Sequence, residues 1–251
     1  GILHFYTDPG EFEHALPQAA LMREFGCERV PQTAAQCLAI EPALAGSRVP
    51  VVGGTYTASD ESGDARRFTE ALARHAAARG VRFRQGETVQ ALLREGGRLS
   101  GVRLVSGETL AADLTVLALG SYSPLLLRPL GLHLPVYPAK GYSATLSLPD
   151  GAIAPSVSLT DDGHKIVISR LGQRLRIAGT AEFNGYNTEL NPVRCAALMQ
   201  RANQLFPELR PLGEPQFWCG LRPATPSNVP MIGRSRIANL FLNTGHGTLG
   251  W

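Results

Sequence analysis

The order of apolar and polar residues along the chain alternates between two periods. Alternation at every second position predicts strands, and recurrence every three or four residues predicts helices. Residues 164–183 read "HKIVISRLGQRLRIAGTAEF", with Ile166 and Ile168 alternating against polar neighbours up to a turn near Gly172. This stretch therefore predicts a β-hairpin with one exposed face.

Three helices follow from apolar residues that recur at helical spacing. Near the start, Leu21, Met22 and Phe25 share one face of a helix that ends at Gly26. Phe68, Leu72 and Ala76 predict a second helix from Asp64 to Gly80. A third begins with Asn191 as N-cap and Pro192 in its first turn, and it carries Leu198, Ala202 and Leu205 on one stripe. A shorter helix is predicted in "TAAQCLAIEPAL", ending near Pro42.

The rest of the chain predicts strands of two kinds, in which apolar residues either alternate with polar ones or run continuously. The strand "ILHFYTD" opens it, and "VRFRQG", "TVQALLR", "GRLSGVRLVSG" and "TLAADLTVLALG" form a series turned at Gly96-Gly97 and Gly107. Residues 114–119 are continuously apolar, which is typical of a parallel strand covered on both faces. The apolar strand 240–242 then runs directly into a glycine loop.

These patterns of apolar and polar residues predict a mixed α/β fold with two interleaved parts. Residues 64–128 and 220–251 have the pattern of an α/β layer, and residues 1–63 and 129–219 that of an antiparallel sheet with helices. The 251 residues are 44% hydrophobic and 18% charged, so extended disorder is excluded.

Charge and cysteine content exclude several classes of function. The net charge is +3, and the arginines form no basic stripe interleaved with aromatic residues, so nucleic-acid binding is not expected. The cysteines form no C-x-x-C pair, which favours buried thiols in a reducing compartment. The six histidines are dispersed, no G-x-S-x-G elbow occurs and no run is long enough to span a membrane. Neither a metal site nor a serine hydrolase is predicted.

The glycine loop near the carboxyl end has the glycine spacing of a phosphate-binding motif but lacks the sequence that follows such a motif. Gly245, Gly247 and Gly250 in "NTGHGTLGW" satisfy G-x-G-x-x-G. A dinucleotide motif also needs a following helix and an acidic residue about 20 positions later, and one residue follows Gly250 here. The residues alone leave two interpretations open: a plain turn, or a backbone surface that approaches a planar ligand closely.

Several stretches together resemble the D-amino acid oxidase family of flavoproteins, and within it the bacterial dehydrogenases. They are "GDARRFTEALARHAAARGVRF", "ADLTVLALGSYSP", "PAKGYS", "GLRPATPSNVPMIG" and "NLFLNTGHGTLGW". The resemblance implies a partial FAD-binding three-layer domain (64–128 and 220–251) interleaved with an antiparallel-sheet substrate domain (1–63 and 129–219). It also implies a longer enzyme, since the family's opening strand, G-x-G-x-x-G loop and helix are not in this sequence.

The implied activity is FAD-dependent oxidative deamination of a D-amino acid to a 2-oxo acid and ammonia. Electrons would pass to a respiratory acceptor such as a quinone, at a cytoplasmic location with peripheral contact to the inner face of the bacterial inner membrane. Two alternatives stay open: a sarcosine or glycine oxidase of the same superfamily, and a non-catalytic binding domain without flavin.

The resemblance assigns Arg222, in "GLRP", to the substrate carboxylate, and a planar guanidinium matches that group bidentately. An arginine that holds a surface carboxylate is the alternative. His246 lies between two glycines, and positioning is favoured over acid–base catalysis because hydride loss from a neutral amine needs no imidazole base. Tyr142, in "KGYS", is predicted to line the substrate pocket, with burial in a sheet as the alternative. Lys140 is predicted either as a solvated lysine or as a site residue.

Cofactor contacts are implied at three places in the chain. The loop residues Gly245, Gly247, Thr248, Leu249 and Gly250 are predicted to lie against the pyrimidine side of the flavin. At the end of "LTVLALG", Ala118 and Gly120 resemble the small residues that face the FAD phosphates and ribose. Val89 is predicted to contact the adenine side through its backbone, and simple strand packing explains it equally well.

Overall fold

The computed structural model describes residues 1–248, and at 210 and 211 the backbone only. The helices are α1 Pro9–Glu24, α2 Ala34–Ile40, α3 Ala65–Ala77, α4 Ser123–Leu127 and α5 Pro192–Leu205. The first seven strands are β1 Ile2–Tyr6, β2 Arg29–Thr33, β3 Gly53–Thr57, β4 Val89–Glu95, β5 Arg98–Leu104, β6 Thr109–Ala111 and β7 Thr115–Leu117. The other seven are β8 Tyr137–Ser147, β9 Ser158–Asp161, β10 Ile166–Arg170, β11 Arg174–Glu182, β12 Gln216–Ala224, β13 Met231–Arg234 and β14 Leu240–Thr244. The predicted mixed α/β fold is confirmed.

The strands form three sheets. One has eight strands in the order β12-β8-β11-β10-β9-β1-β3-β2, and the two others have three strands each, β13-β14-β7 and β4-β5-β6. The predicted hairpin is confirmed, since β10 and β11 pair antiparallel through Ile168 and Ile177. The large sheet is not wholly antiparallel, because β1 pairs with β9 in parallel register.

Two compact units divide the chain. The first comprises Gly1–Asp64, Gly141–Ala181 and Thr188–Gly220, and the second comprises Ala65–Lys140, Glu182–Asn187 and the chain from Leu221 onward. The division falls inside β8, β11 and β12, so each of these strands contributes residues to both units. Whether the units correspond to a substrate domain and a flavin domain stays a prediction.

The core of the first unit joins the sheet to α2 and α5. As predicted, Asn191 caps α5 by accepting a hydrogen bond from the backbone of Val193 at 3.0 Å. Leu198, Ala202 and Leu205 of this helix are fully buried, as expected from their spacing. They pack in one cluster with sheet residues such as Leu159, Ile168 and Ile177.

The second unit has a smaller core, in which the side chain of a buried asparagine forms hydrogen bonds with two other segments. Leu92, Leu99, Leu117 and Leu240 pack in this cluster. Asn239 is 4% exposed; its side chain accepts from Leu99 N–H at 2.8 Å and donates to Leu99 C=O at 2.9 Å and to Asp113 C=O at 3.0 Å. This amide therefore fastens the start of β14 to β5.

The apolar faces of two predicted helices are largely exposed. Phe25 is 82% exposed and Leu21 55%, because α1 buries its small residues Ala15 and Ala19 instead. In α3 no residue is buried, and Phe68 is 56% exposed. The helices themselves form where the pattern predicts them, since periodicity specifies the helix and burial depends on what packs against it.

Two other stretches that were predicted as strands have a different structure. Residues 81–86, "VRFRQG", form no strand and belong to none of the three sheets. The stretch 109–120 divides into β6 and β7, which belong to different sheets. The parallel pairing of β7 with β14 is confirmed, but the predicted cover on both faces is not, since Val116 is 55% exposed and Leu117 3% among the described residues.

The cysteines follow the prediction in part. All four are free; Cys37 and Cys195 are buried, whereas Cys27 and Cys219 are half-exposed. Burial raises the pKa of the Cys37 thiol to about 11, so that this group stays protonated at neutral pH.

Candidate functional site

Two chain segments leave the sheet at the carboxyl edge of the parallel strands β7 and β14. In parallel register Leu117 lies beside Leu242, so the segments that follow both strands leave the sheet at the same edge. After β7 come Ala118 and the 3₁₀ turn Gly120–Tyr122. After β14 come Gly245 to Thr248. In open α/β sheets this edge is where ligands bind.

The glycine loop is bonded to the strand that carries Arg222. Gly247 N–H donates to the carbonyl of Pro223, the residue after Arg222 in β12, at 3.0 Å. Gly245 lies at φ +80°, and a Cβ built on it would come within 2.8 Å of Thr225 Cγ2. Glycine is therefore required at 245 both by the backbone conformation and by the space available.

Side chains of the 120–123 segment complete the connections among these three segments. Thr244 Oγ1 donates to the carbonyl of Gly120 at 3.0 Å and accepts from Ser123 Oγ at 3.1 Å. Ser121 Oγ donates to the carbonyl of Leu221 at 3.1 Å. These bonds hold the backbone on both sides of Arg222 in a fixed position relative to the two loops.

Arg222 itself is half-buried, and burial lowers the pKa of its guanidinium below the ordinary value. Even so, an arginine side chain keeps its charge at neutral pH. A cation partly withdrawn from water interacts more strongly with an anion than a solvated cation does. The surroundings of Arg222 therefore suit the binding of a carboxylate.

The structure places the other predicted residues in different surroundings. His246 and Gly247 are half-buried and Thr248 is exposed, whereas Leu249 and Gly250 lie outside the described residues. Ala118 is exposed at the end of β7, and Gly120 lies at φ +54°. Val89 opens β4 opposite Leu104, in a different sheet from β7 and β14.

Tyr142 is 1% exposed and belongs to the core cluster of the first unit. This environment matches the alternative interpretation, a tyrosine buried in a sheet, and its role as a pocket residue stays a prediction.

Lys140 is not the solvated lysine that the sequence allows. It is 2% exposed, and its Nζ lies 3.1 Å from Glu182 Oε2 and donates to Asn187 Oδ1 at 3.2 Å. A buried lysine needs such partners because desolvation of an unpaired ammonium is costly. The pair anchors the start of the segment 182–187 to β8.

That segment carries a residue which sequence reasoning missed. Tyr186 OH donates to the carbonyl of Ser121 at 3.0 Å, and its ring packs 5.3 Å from the ring of Tyr122. Burial raises the pKa of Tyr186 above its ordinary value, so the phenol remains a donor at neutral pH. A tyrosine within the polar loop "FNGYN" was the available signal, because such loops seldom need an aromatic ring.

The described residues contain neither a cluster of metal ligands nor a membrane-spanning helix. Within residues 1–248, no group of three or more histidine, cysteine, aspartate or glutamate side chains is arranged to hold a metal ion. No helix in the same range is both long and apolar enough to cross a membrane.

Positive-φ glycines in the loops at the carboxyl edge of parallel strands are typical of nucleotide-dependent α/β proteins. The family model described as "DAO: FAD dependent oxidoreductase" matches residues 1–251. The chain therefore belongs to the DAO family of FAD-dependent oxidoreductases.

Similar proteins agree with this membership. The chain is 64% identical over 255 residues to a D-amino acid dehydrogenase of Dechloromonas aromatica, covering 100% of the chain and 61% of that protein. It is 53% identical to a D-amino acid dehydrogenase of Paramagnetospirillum magneticum, covering 100% and 59%. The chain thus spans about 60% of the length of these curated relatives.

Solved structures resemble the chain over its whole length. Glycine oxidase from Geobacillus kaustophilus superposes with a TM-score of 0.89 at 25% identity, covering 100% of this chain and 66% of that one. Glycine oxidase from Bacillus cereus gives 0.86 at 25% identity, covering 100% and 68%.

Proposed function

We propose that this chain forms part of an FAD-dependent D-amino acid dehydrogenase, which deaminates D-amino acids oxidatively to 2-oxo acids and ammonia. The observation that carries the proposal is the 3.0 Å bond from Gly247 N–H to Pro223 C=O, which fixes the glycine loop beside the strand of Arg222. The 64% identity to the Dechloromonas aromatica relative supports this substrate class.

The residues at the carboxyl edge fit a flavin dinucleotide. Gly120, Gly245 and Gly247 all adopt positive φ, between +54° and +80°. Without Cβ atoms, their backbone can lie against a planar ring or a phosphate. We assign Gly245, Gly247, Thr248, Leu249 and Gly250 to the isoalloxazine, Ala118 and Gly120 to the phosphates and ribose, and Val89 to the adenine. When bound, FAD accepts the hydride that leaves the substrate Cα.

The chain's own residues bind and orient the substrate in this proposal. Arg222 holds the carboxylate through two parallel N–H···O bonds, which fixes the position of Cα beside the glycine loop. His246 and Tyr142 are assigned to positioning around the amine and side chain. Neither needs to act as a base if the amine is neutral when it reacts.

The partners are proposed on the same grounds. A respiratory acceptor such as a quinone would receive the electrons, as the names of dehydrogenase relatives favour over oxygen. The corresponding location is cytoplasmic, with peripheral contact to the inner face of the inner membrane.

A second candidate is a glycine or sarcosine oxidase, which the TM-score of 0.89 to a glycine oxidase favours. The test measures turnover of D-alanine and sarcosine by the protein expressed at full length, with a redox dye and with oxygen as acceptors. The proposal predicts dye reduction with D-alanine and little hydrogen peroxide. Peroxide formation with sarcosine or glycine would favour the oxidase instead. If the protein takes up no flavin from an FAD titration, the chain is a non-catalytic binding domain.

A further inference from the structure

A polar cavity lies within the first unit, and no residue of the proposed flavin site lines it. Its volume is about 260 Å³, and its floor contains the buried Tyr6 and Thr55, which are 5% and 1% exposed. Helix α1 covers one side with Ala15 and Ala19. The remaining wall and rim are almost entirely polar or charged: His4, Glu11, His14, Gln18, Arg29, Asp162, Gly163 and Lys165.

Arg29 gives the cavity a positive anchor with unused hydrogen-bonding capacity. Its Nε donates to Thr55 Oγ1 at 3.1 Å, and its Nη1 lies 3.3 Å from Met22 Sδ. Its Nη2 is buried and has no hydrogen-bond partner. A buried donor without an acceptor costs about 1–3 kcal/mol. Because Nη2 has almost no accessible surface, Arg29 acts on a ligand in the cavity through its charge.

Asp162 gives the same cavity a negative anchor. One of its oxygens, Oδ2, accepts from both His4 Nδ1 at 2.8 Å and Tyr6 OH at 2.9 Å. Burial by itself would raise the pKa of this carboxyl, but the hydrogen bond and charge of His4, together with Tyr6, outweigh burial and lower it. Asp162 is therefore ionised and held in one orientation at neutral pH.

The cavity is also lined by one further acidic and one further basic residue. Glu11 and Lys165 both line the opening. Lys165 adopts φ +54°, which is uncommon for a residue with a side chain. A site with fixed charges of both signs favours a ligand that also carries both over a simple anion or cation.

The size of the cavity limits the ligand. Since a water molecule takes up about 30 Å³, the volume corresponds to about nine waters. A molecule of roughly six to ten non-hydrogen atoms fits this space. A free α-amino acid has this size, and it carries a carboxylate and an ammonium on adjacent atoms.

We propose that this cavity is a second amino-acid binding site, in which Arg29 holds the carboxylate and Asp162 accepts from the ammonium. Its lining residues do not include Arg222 or any residue assigned to the flavin. Arg29 and Asp162 come from β2 and from the turn after β9, which belong to the same sheet.

Isothermal titration with L-alanine tests this site in the Arg222→Met variant at full length, which removes the substrate site from the measurement. The expected result is saturable binding with one site per chain. Adding Arg29→Met or Asp162→Asn should each weaken this binding at least tenfold. The matched control is Arg98→Met, which removes an exposed arginine of the second unit and should change nothing.

Two ligand analogues test the chemical class. Alaninamide lacks the carboxylate and N-acetyl-L-alanine lacks the ammonium, and both should bind at least tenfold more weakly than L-alanine. Circular dichroism and thermal melting show whether each variant is folded. If Arg29→Met does not fold, Arg29→Lys replaces it in the binding measurement. The proposal is overturned if Arg222→Met binds no L-alanine at 50 mM, if binding survives Arg29→Met, or if propionate binds as tightly as L-alanine. None of these results depends on turnover, so the proposed dehydrogenase activity is tested separately.

Discussion

At the scale of single residues, hydrogen bonds to buried ionised groups set the dependence of stability on pH. Tyr6 donates to Asp162, and burial, followed by the charge of Asp162, raises the pKa of this phenol to about 12. Ionisation of Tyr6 would place two negative charges side by side in a half-buried cluster. The native state therefore retains this proton over a pH range in which the unfolded chain has lost it.

The consequence is a loss of stability between pH 10 and pH 12. In that range the unfolded state binds fewer protons than the native state, so the free energy of unfolding falls as the pH rises. Relative to Tyr6→Phe, the wild type should keep a constant advantage up to pH 10. Above that, the advantage should shrink by about 1 kcal/mol per pH unit. Urea unfolding at pH 8, 10 and 11 measures this difference, and an advantage that stays constant up to pH 11 would contradict the assignment.

Gly245 allows a second prediction at this scale. Alanine there would bring a Cβ within 2.8 Å of Thr225 Cγ2 at φ +80°, and so displace the loop assigned to the flavin. Gly245→Ala should weaken FAD binding at least tenfold, as measured by fluorescence titration of the apoprotein at full length.

Gly107→Ala is the matched control for this loop. It also adds a Cβ at positive φ, here +91°, but nothing lies within 4 Å of the new atom. This variant should lose about 1 kcal/mol of stability from backbone strain and bind FAD normally. Equal affinities of the two variants for FAD would mean that the loop does not contact the cofactor.

At the scale of elements, Asn239 shows how one side chain joins strands that are distant in sequence. Its three bonds to Leu99 and Asp113 connect β14 to β5 and to the segment before β7. Asn239→Leu should lower the free energy of unfolding by about 2–4 kcal/mol, because it leaves buried backbone groups of Leu99 without partners. Asn243→Leu, at an exposed position within β14, should change it by less than 1 kcal/mol. Chemical denaturation compares the two variants, and a similar loss in both would refute this role.

The sequence predicts elements well where a local signal decides them. Asn191 and the spacing of Leu198, Ala202 and Leu205 locate α5, since both capping and periodicity act within one helix. Residues 81–86 have a strand-like composition, but a strand also requires a neighbour, which no local pattern reveals. The exposure of the apolar faces of α1 and α3 could not be predicted from the sequence for the same reason.

The same distinction applies to the candidate site. Arg222, Gly245 and Gly247 lie in motifs and were named from the sequence. Ser121 and Tyr186 were missed, since their bonds to Leu221 and Ser121 span 100 and 65 positions. The burial of Lys140 was missed because it depends on Glu182, which the chain brings close through β11.

At the scale of the whole molecule, the chain alternates between two units, each with its own core. Each unit is built from three separate segments of the chain. The positions at which the chain crosses lie within strands, and periodicity continues unbroken through such points. Composition alone therefore could not locate them.

The central claim is that Arg222 binds the substrate carboxylate beside a flavin held by the glycine loop. Its most direct test compares wild type with Arg222→Lys at full length, measuring kcat/KM for D-alanine and the dissociation constant for FAD. Lysine keeps the charge but loses the planar pair of donors, so kcat/KM should fall at least about 100-fold while the affinity for FAD stays within twofold. A kcat/KM within threefold of the wild type would contradict the claim.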